Sequence, residues 1–373
     1  MSMTRPLVVF ALIPLACRQP SRDAQGDRPA AAPPSAESPR HPPAAPSALV
    51  PSAASPSASA GLDEELPKPA ACAHPAEAPA ADQPTQAELA TLHACDAEKL
   101  YYGIGVPQDA VKARKCAFAQ LGAREDPVFG GTAILMMVYA NGAGVPRNLR
   151  LATAFACRVD GAPAELTGRL DHLERLRDDP RGRAELDLCD DVTSGYMTGH
   201  CAAHRERFRE VRRNERKQKA ARALPAPELA TLERAAHDFF GAREGNEVDL
   251  SGTLRAAQQI DERATLEESY VHDLERVPVF GFPPPADAAG TEAELNAVYL
   301  KLMSCPTYSA KEPIHGAISS SGIRQTERLW LQYRDAWSAL GTKARPGSPG
   351  DSWKAYVTRE RVRQLKRLAS GCP

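Results

Sequence analysis

From Ala11 to Leu100 the chain carries no phenylalanine, tyrosine or tryptophan, and no isoleucine separates Ile13 from Ile104. In the same region 15 prolines fall between Pro20 and Pro84. Such a stretch buries too little apolar area to offset the roughly 1–2 kcal/mol that ordering each residue's backbone costs. Residues 18–84, rich in Ala, Pro and Ser, therefore read as a disordered, semi-rigid spacer of extended and solvated conformations. A folded core has to be sought after Pro84. The formal net charge of −1 argues against nucleic acid as a partner of the whole chain. Beyond the first twenty residues no apolar run approaches the ~18 residues of a membrane span.

Arg5 precedes an apolar run over residues 7–16 and then Cys17, the order of a charged region, a short hydrophobic region and a processing site. That run is too short to span a bilayer, so residues 1–16 are expected to be a signal peptide for export. Pro14-Leu15-Ala16-Cys17 resembles a bacterial lipobox. The resemblance implies a lipoprotein of the periplasm or outer membrane, with a lipidated Cys17 as its mature amino terminus. Residues 17–84 would then be a lipid-anchored linker, each buried methylene of the anchor contributing about 0.8 kcal/mol to membrane attachment.

Nine cysteines minus Cys17 leave Cys72, Cys95, Cys116, Cys157, Cys189, Cys201, Cys305 and Cys372. An even number in an exported chain points to disulfides, because the compartment is oxidising. No Cys-x-x-Cys occurs. The nearest approach to a metal constellation is His200-Cys201-Ala202-Ala203-His204 with Cys189 upstream, a spacing that can present two imidazoles to zinc. A disulfide-bonded Cys201 flanked by exposed histidines is the simpler account, and neither a metal site nor a cofactor is expected.

Gly103-Ile104-Gly105-Val106-Pro107-Gln108-Asp109 recurs 39 residues later as Gly142-Ala143-Gly144-Val145-Pro146-Arg147-Asn148. Gly103, Gly105, Gly142 and Gly144 permit the left-handed backbone that ends a helix, proline blocks its continuation, and Asp109 or Asn148 can cap the next helix. A phosphate-binding loop is excluded, because Val-Pro stands where a third glycine or Lys-Ser/Thr would follow and no β-rich run precedes. With Tyr139 three residues before Gly142, and with Lys112-Ala113 and Leu151-Ala152 following, the two units resemble Sel-like repeats, short relatives of tetratricopeptide repeats. That resemblance implies a helical-hairpin array over residues 85–180, and in its cysteine-rich members a Cys95–Cys116 staple. Thr85-Gln86-Ala87-Glu88 reads as the capping box of its first helix. Two repeats are fewer than the ~3 that usually stand alone, so the array is expected to continue through Leu170, Leu173 and Leu176 and to dock on the domain after it.

Further on, the apolar residues keep helical spacing. Thr291-x-x-Glu294 reads as a second capping box, followed by Leu295, Val298, Tyr299, Leu302 and Met303 on one face. Ile323, Trp330, Tyr333, Trp337 and Leu340 mark a second stripe, and Val362, Leu365 and Leu368 a third, which together imply a helical bundle. Leu295-Asn296-Ala297-Val298-Tyr299, Trp330-Leu331-Gln332-Tyr333-Arg334-Asp335 and the closing run from Thr358 through Arg361 to Leu365 resemble the motifs of the LprI-like domain, a family named for a mycobacterial lysozyme inhibitor. Thr193, Met197 and Cys201 match its early segment. The resemblance covers residues 185–373 and implies a charged helical insertion at about 203–290. Two cysteines usual in that family are replaced, one by Ser338 and its partner near Trp353, and Cys305 with Cys372 offer a substitute clasp. The fold class expected for the whole chain is all-α: a short helical-hairpin array docked to a helical bundle.

Residues 205–222 hold nine Lys or Arg against three Glu, whereas residues 247–276 hold eight acidic residues against three Arg. Two helix faces that pair with each other are one reading. The other is that Asp261, Glu262, Glu267 and Glu268 dock a basic partner such as lysozyme. No Gly-x-Ser-x-Gly, His-Glu-x-x-His or Walker motif occurs, and no catalytic residue is assigned. The function expected is therefore that of a tethered protein-interaction module acting as a cell-envelope scaffold or adaptor. Inhibition of lysozyme or a related lytic enzyme is the alternative, and an unrecognised envelope enzyme the second.

Overall fold

A computed structural model describes residues 69–121, 128–179, 184–279, 288–309, 315–347 and 349–372. The expected signal peptide, Cys17 and the expected linker up to residue 68 lie outside the described residues. Every regular element among the described residues is helical.

The two glycine turns fold alike because their backbones carry the same instructions. Gly103, Gly105, Gly142 and Gly144 have φ of 75°, 70°, 68° and 69°, the left-handed region in which a Cβ is strained. Asp109 N–H donates to Leu100 O at 2.9 Å, and Asn148 N–H to Tyr139 O at 2.9 Å, the same bond one repeat apart. Each capping side chain then accepts from a backbone N–H three residues on, Asp109 from Lys112 and Asn148 from Leu151. The expected capping box at Thr85 and Glu88 opens α1 (Gln86–Leu92). From there α2 (Ala97–Tyr102), α3 (Ala110–Gln120), α4 (Gly131–Asn141), α5 (Leu149–Ala156) and α6 (Pro163–Arg177) stack in chain order, each from α2 onward packing on the next. At the centre is α4, buried from Gly131 to Ala140. It abuts α3 so closely that a Cβ on Gly131 would lie 2.3 Å from Ala117 O.

Residues 69–84, expected to belong to the tether, are ordered. They form two short 3-10 turns, Ala70–Ala73 and Ala80–Asp82, and lie across the array as a strap. Cys72 is disulfide-bonded to Cys157 just after α5. Asp82 receives the Tyr139 hydroxyl at 3.0 Å, and the Arg114 guanidinium donates to its carbonyl at 3.1 Å. One covalent bond and a few polar contacts order a segment whose composition offers almost no apolar burial.

Six longer helices complete the fold: α7 (Gly195–Ala221), α8 (Ala226–Asn246), α9 (Arg255–Arg276), α10 (Ala288–Met303), α11 (Ser320–Ala344) and α12 (Gly350–Ala369). Helix α7 packs along α9, α8 along α11, and α10 along α12. The expected stripes form the core: Leu295, Leu302, Trp330, Tyr333, Trp337, Leu340, Val362 and Leu365 are buried together, with Val298, Tyr299, Met303 and Leu368 packed against them. Asn296 is exposed. The segment read as an insertion is not an appendage. Leu229, Leu232, Phe239 and Phe240 of α8 and Tyr270, Val271 and Leu274 of α9 belong to the same core, and the Phe239 ring stacks on Tyr333 at 5.1 Å.

At Thr291 the expected helix start is overturned. Helix α10 begins at Ala288, so Thr291 is a buried residue inside its first turn, and Glu294 reaches Lys366 at 2.5 Å instead of folding back on a cap. Ala288 and Ala289 are strong helix formers and carry the helix back past the threonine.

Four disulfides join Cys72 to Cys157, Cys95 to Cys116, Cys189 to Cys201 and Cys305 to Cys372. The hairpin staple and the terminal clasp are thus as expected, and all eight cysteines are used. Such a set fits an oxidising, extracytoplasmic compartment. Ser338 donates to Gly350 O at 3.2 Å. Gly341 faces Trp353 so closely that a Cβ would lie 2.2 Å from the indole.

Charge is buried where the bundle helices meet. Arg361 is fully enclosed and donates to Glu247 at 2.6 and 2.8 Å and to Glu327 at 2.9 Å. Arg243 binds Glu262 at 2.5 Å and lies 3.9 Å from Glu247. A buried ion pair of this kind contributes little net stability, but losing one partner strands the other in a medium that cannot solvate it.

Candidate functional site

The first turns of α7 lie against the array and leave a groove between them. Its docking begins with Glu165, buried on α6. The Glu165 carboxylate accepts three backbone N–H groups, from Ala162 at 2.9 Å, Thr193 at 3.0 Å and Ser194 at 2.8 Å. Burial alone would raise its pKa, but these donors outweigh that effect and hold it below the ordinary carboxylate value. Ser194 then caps α7, accepting from Met197 N–H at 3.1 Å. Met197 and Cys201 enter the array core, and the Cys189–Cys201 bond fixes the chain just before the helix to its second turn.

One turn further, buried His204 backs Phe129 and Glu98, two of the residues that line the groove. Its ring stacks on Phe129 at 4.3 Å with 10° between the planes, contacts Tyr102 at 4.4 Å, and bonds through Nδ1 to Glu98 at 2.6 Å. Arg207 pairs with the same carboxylate. Burial lowers the His204 pKa and favours the neutral ring.

The resulting groove has a volume of about 880 Å³. Array residues from Asp96 and Lys99 to Arg158 and Asp160 form one wall, and Tyr196, His200 and Arg207 of α7 the other. Tyr196 is 65% exposed, and its ring meets His200 edge-on at 4.6 Å. An aromatic anchor flanked by charges of both signs is chemistry for recognising a chain of mixed polarity. The His-Cys-x-x-His segment is thereby explained. The Cys201 sulfur is in a disulfide, His204 is buried rather than exposed, and among the described residues no group of three or more His, Cys, Asp or Glu is arranged to hold a metal ion.

The acidic segment is placed differently from the docking reading. Glu262 binds Arg243, Glu267 binds Arg213 at 2.7 Å and Arg263 at 2.6 Å, and Glu268 binds Arg216. Only Asp261 is exposed without such an ion pair among the described residues. Glu267 and Glu268 satisfy the basic helix α7 beside them, as the pairing reading has it, whereas Glu262 pairs with α8.

Motif residues of the bundle serve packing. Trp330 and Tyr333 are core, the Arg334 guanidinium lies 5.2 Å over the Trp330 ring and reaches Glu292, and exposed Asp335 joins Arg334. Glu98, Glu165 and Tyr196 were not legible as site residues. The available signal was the four-residue spacing of Tyr196, His200 and His204 along one helix face. No protein-family model matches the chain, and neither a curated protein nor a solved structure matches it.

Proposed function

We propose that the chain is an exported, membrane-tethered protein-interaction module acting as a scaffold or adaptor in the bacterial cell envelope. The observation that carries this reading is the groove between the array and α7, where the exposed Tyr196 stands over about 880 Å³ of mixed-charge surface. Helical arrays present recessed faces of this kind to peptides and folded partners. Export is supported by the four disulfides together with the lipobox-like residues at Cys17. The Sel-like turns and the LprI-like motifs agree with an envelope protein that binds other proteins. Membrane attachment rests on Cys17, because no helix among the described residues is long and apolar enough to cross a bilayer. The groove is favoured over the acidic helix α9 as the docking face, since Glu262, Glu267 and Glu268 are already paired within the chain.

Co-purification from envelope extracts with the full chain and with a Tyr196→Asp variant tests the reading. Partners captured by the first and lost by the second are expected, with stability unchanged because Tyr196 is exposed. Equal capture by both would remove the groove. Recovery of lytic enzymes, together with inhibition of lysozyme by equimolar protein at low salt, would move the reading to inhibition.

A further inference from the structure

A second cavity, about 580 Å³, is lined by α7 and α9. Arg209, Arg212, Arg213 and Arg216 line it at the i, i+3, i+4 and i+7 spacing of one helix face. Two are neutralised: Arg213 by Glu206 at 2.5 Å and Glu267 at 2.7 Å, and Arg216 by Glu275 at 2.8 Å and by Glu268, the carboxylate in the cavity wall. Arg209 and Arg212 are exposed, and among the described residues neither has a carboxylate partner. Opposite them, α9 presents Thr265 and Ser269, one turn apart. The Thr265 hydroxyl donates to Asp261 O at 2.7 Å, whereas the Ser269 hydroxyl has no such partner among the described residues.

We infer that this cavity binds a ligand bearing two neighbouring phosphate groups. Two unneutralised guanidiniums one helical turn apart provide planar donor forks, and each fork can grip an anion through two parallel bonds. Ser269 adds a donor from the facing helix. That third direction suits a phosphate, which offers three terminal oxygens where a carboxylate offers two. The cavity, at about 580 Å³, exceeds the space one small anion needs. Diphosphate chemistry of this kind occurs in soluble diphosphates and in diphosphate-type lipid headgroups at a bilayer surface.

The two sources are separated with full-length protein carrying Cys17→Ser, so that no acyl chain contributes. Calorimetric titration with inorganic pyrophosphate at low salt reads the soluble source. Co-sedimentation with phosphatidylcholine vesicles, with and without a long-chain alkyl diphosphate, reads the headgroup. Binding to either probe that weakens as salt rises is expected. Arg209→Ala with Arg212→Ala should reduce it at least about tenfold, and Ser269→Ala by a few fold. Arg324→Ala with Arg328→Ala, which removes the same charge from exposed positions on α11, should leave it within about twofold. All three variants change exposed side chains, and unchanged far-ultraviolet circular dichroism verifies folding. Failure of both probes to bind, or equal weakening by the two double variants, overturns the inference.

Discussion

Around α4 the array buries small and flexible residues, Ala133, Met136, Met137 and Ala140, in helices of 6 to 15 residues. Around α11 the bundle buries Trp330, Tyr333 and Trp337 in helices of 16 to 27 residues. Two disulfides tie the array internally and a third fastens it to α7, while one disulfide serves the bundle. The contrast follows from helix length. Helices as short as α2 and α5 are unstable alone and bury little area each, so cross-links supply part of what packing cannot. Longer helices bury enough aromatic surface to hold a fully enclosed ion pair, Arg361 with Glu247, at their centre.

This contrast breaks if the staples prove dispensable. The Cys72–Cys157 bond closes a loop of 85 residues, for which the chain-entropy relation gives about 4.5 kcal/mol. Replacing both cysteines by serine should lower array stability by about that amount and release the strap at residues 69–84. Hydrogen exchange should show amides of α3 to α5 losing protection while α8 and α11 keep theirs. Loss of protection in both regions would mean one cooperative unit.

Bundle chemistry is tested by Arg361→Met, which leaves Glu247 and Glu327 buried without their cation. A loss of about 4 kcal/mol is expected in denaturant unfolding. Adding Glu247→Gln should restore part of it, because the stranded charge is then gone; a purely steric defect would not respond.

The smallest expected effect concerns Asp273. Burial between α9 and α12 raises its carboxyl to about 6, although the Tyr356 hydroxyl, donating at 2.7 Å, pulls the other way. An unfolded Asp titrates near 3.8. The folded state therefore holds the proton more tightly, and this contribution to stability is complete below about pH 4 and lost as pH rises to about 6. Asp273→Asn should be more stable than the parent by about 2–3 kcal/mol at pH 7 and no different at pH 4. Unfolding midpoints at the two pH values read this directly, and an equal difference at both would reject a titrating Asp273.

Much of the architecture was legible because periodicity and turn chemistry are local. The 39-residue recurrence, the caps at Thr85, Asp109 and Asn148, and the stripes through Trp330 and Leu365 each depend on neighbours a few residues away. Boundaries that depend on distant partners were not legible. In composition residues 69–84 look like those before them, yet Cys72 finds Cys157 and Asp82 finds Tyr139. Thr291 and Glu294 have the spacing of a capping box, yet the helix starts earlier and Glu294 turns to Lys366. The groove was hidden for the same reason, since Glu98 and His204 are 106 residues apart and meet only when α7 docks.

The sequence by itself determined an all-helical fold after a proline-rich start, the glycine turns with their left-handed backbone, and an even set of eight cysteines. Backbone stereochemistry and apolar spacing decide those features residue by residue. Tertiary structure alone decided the Cys72–Cys157 and Cys189–Cys201 pairings, the merging of α8 and α9 into the bundle core, and which arginines are neutralised. Each of these depends on the distance between side chains brought together by folding, and neither ion pairing nor covalent closure is written in the order of the residues.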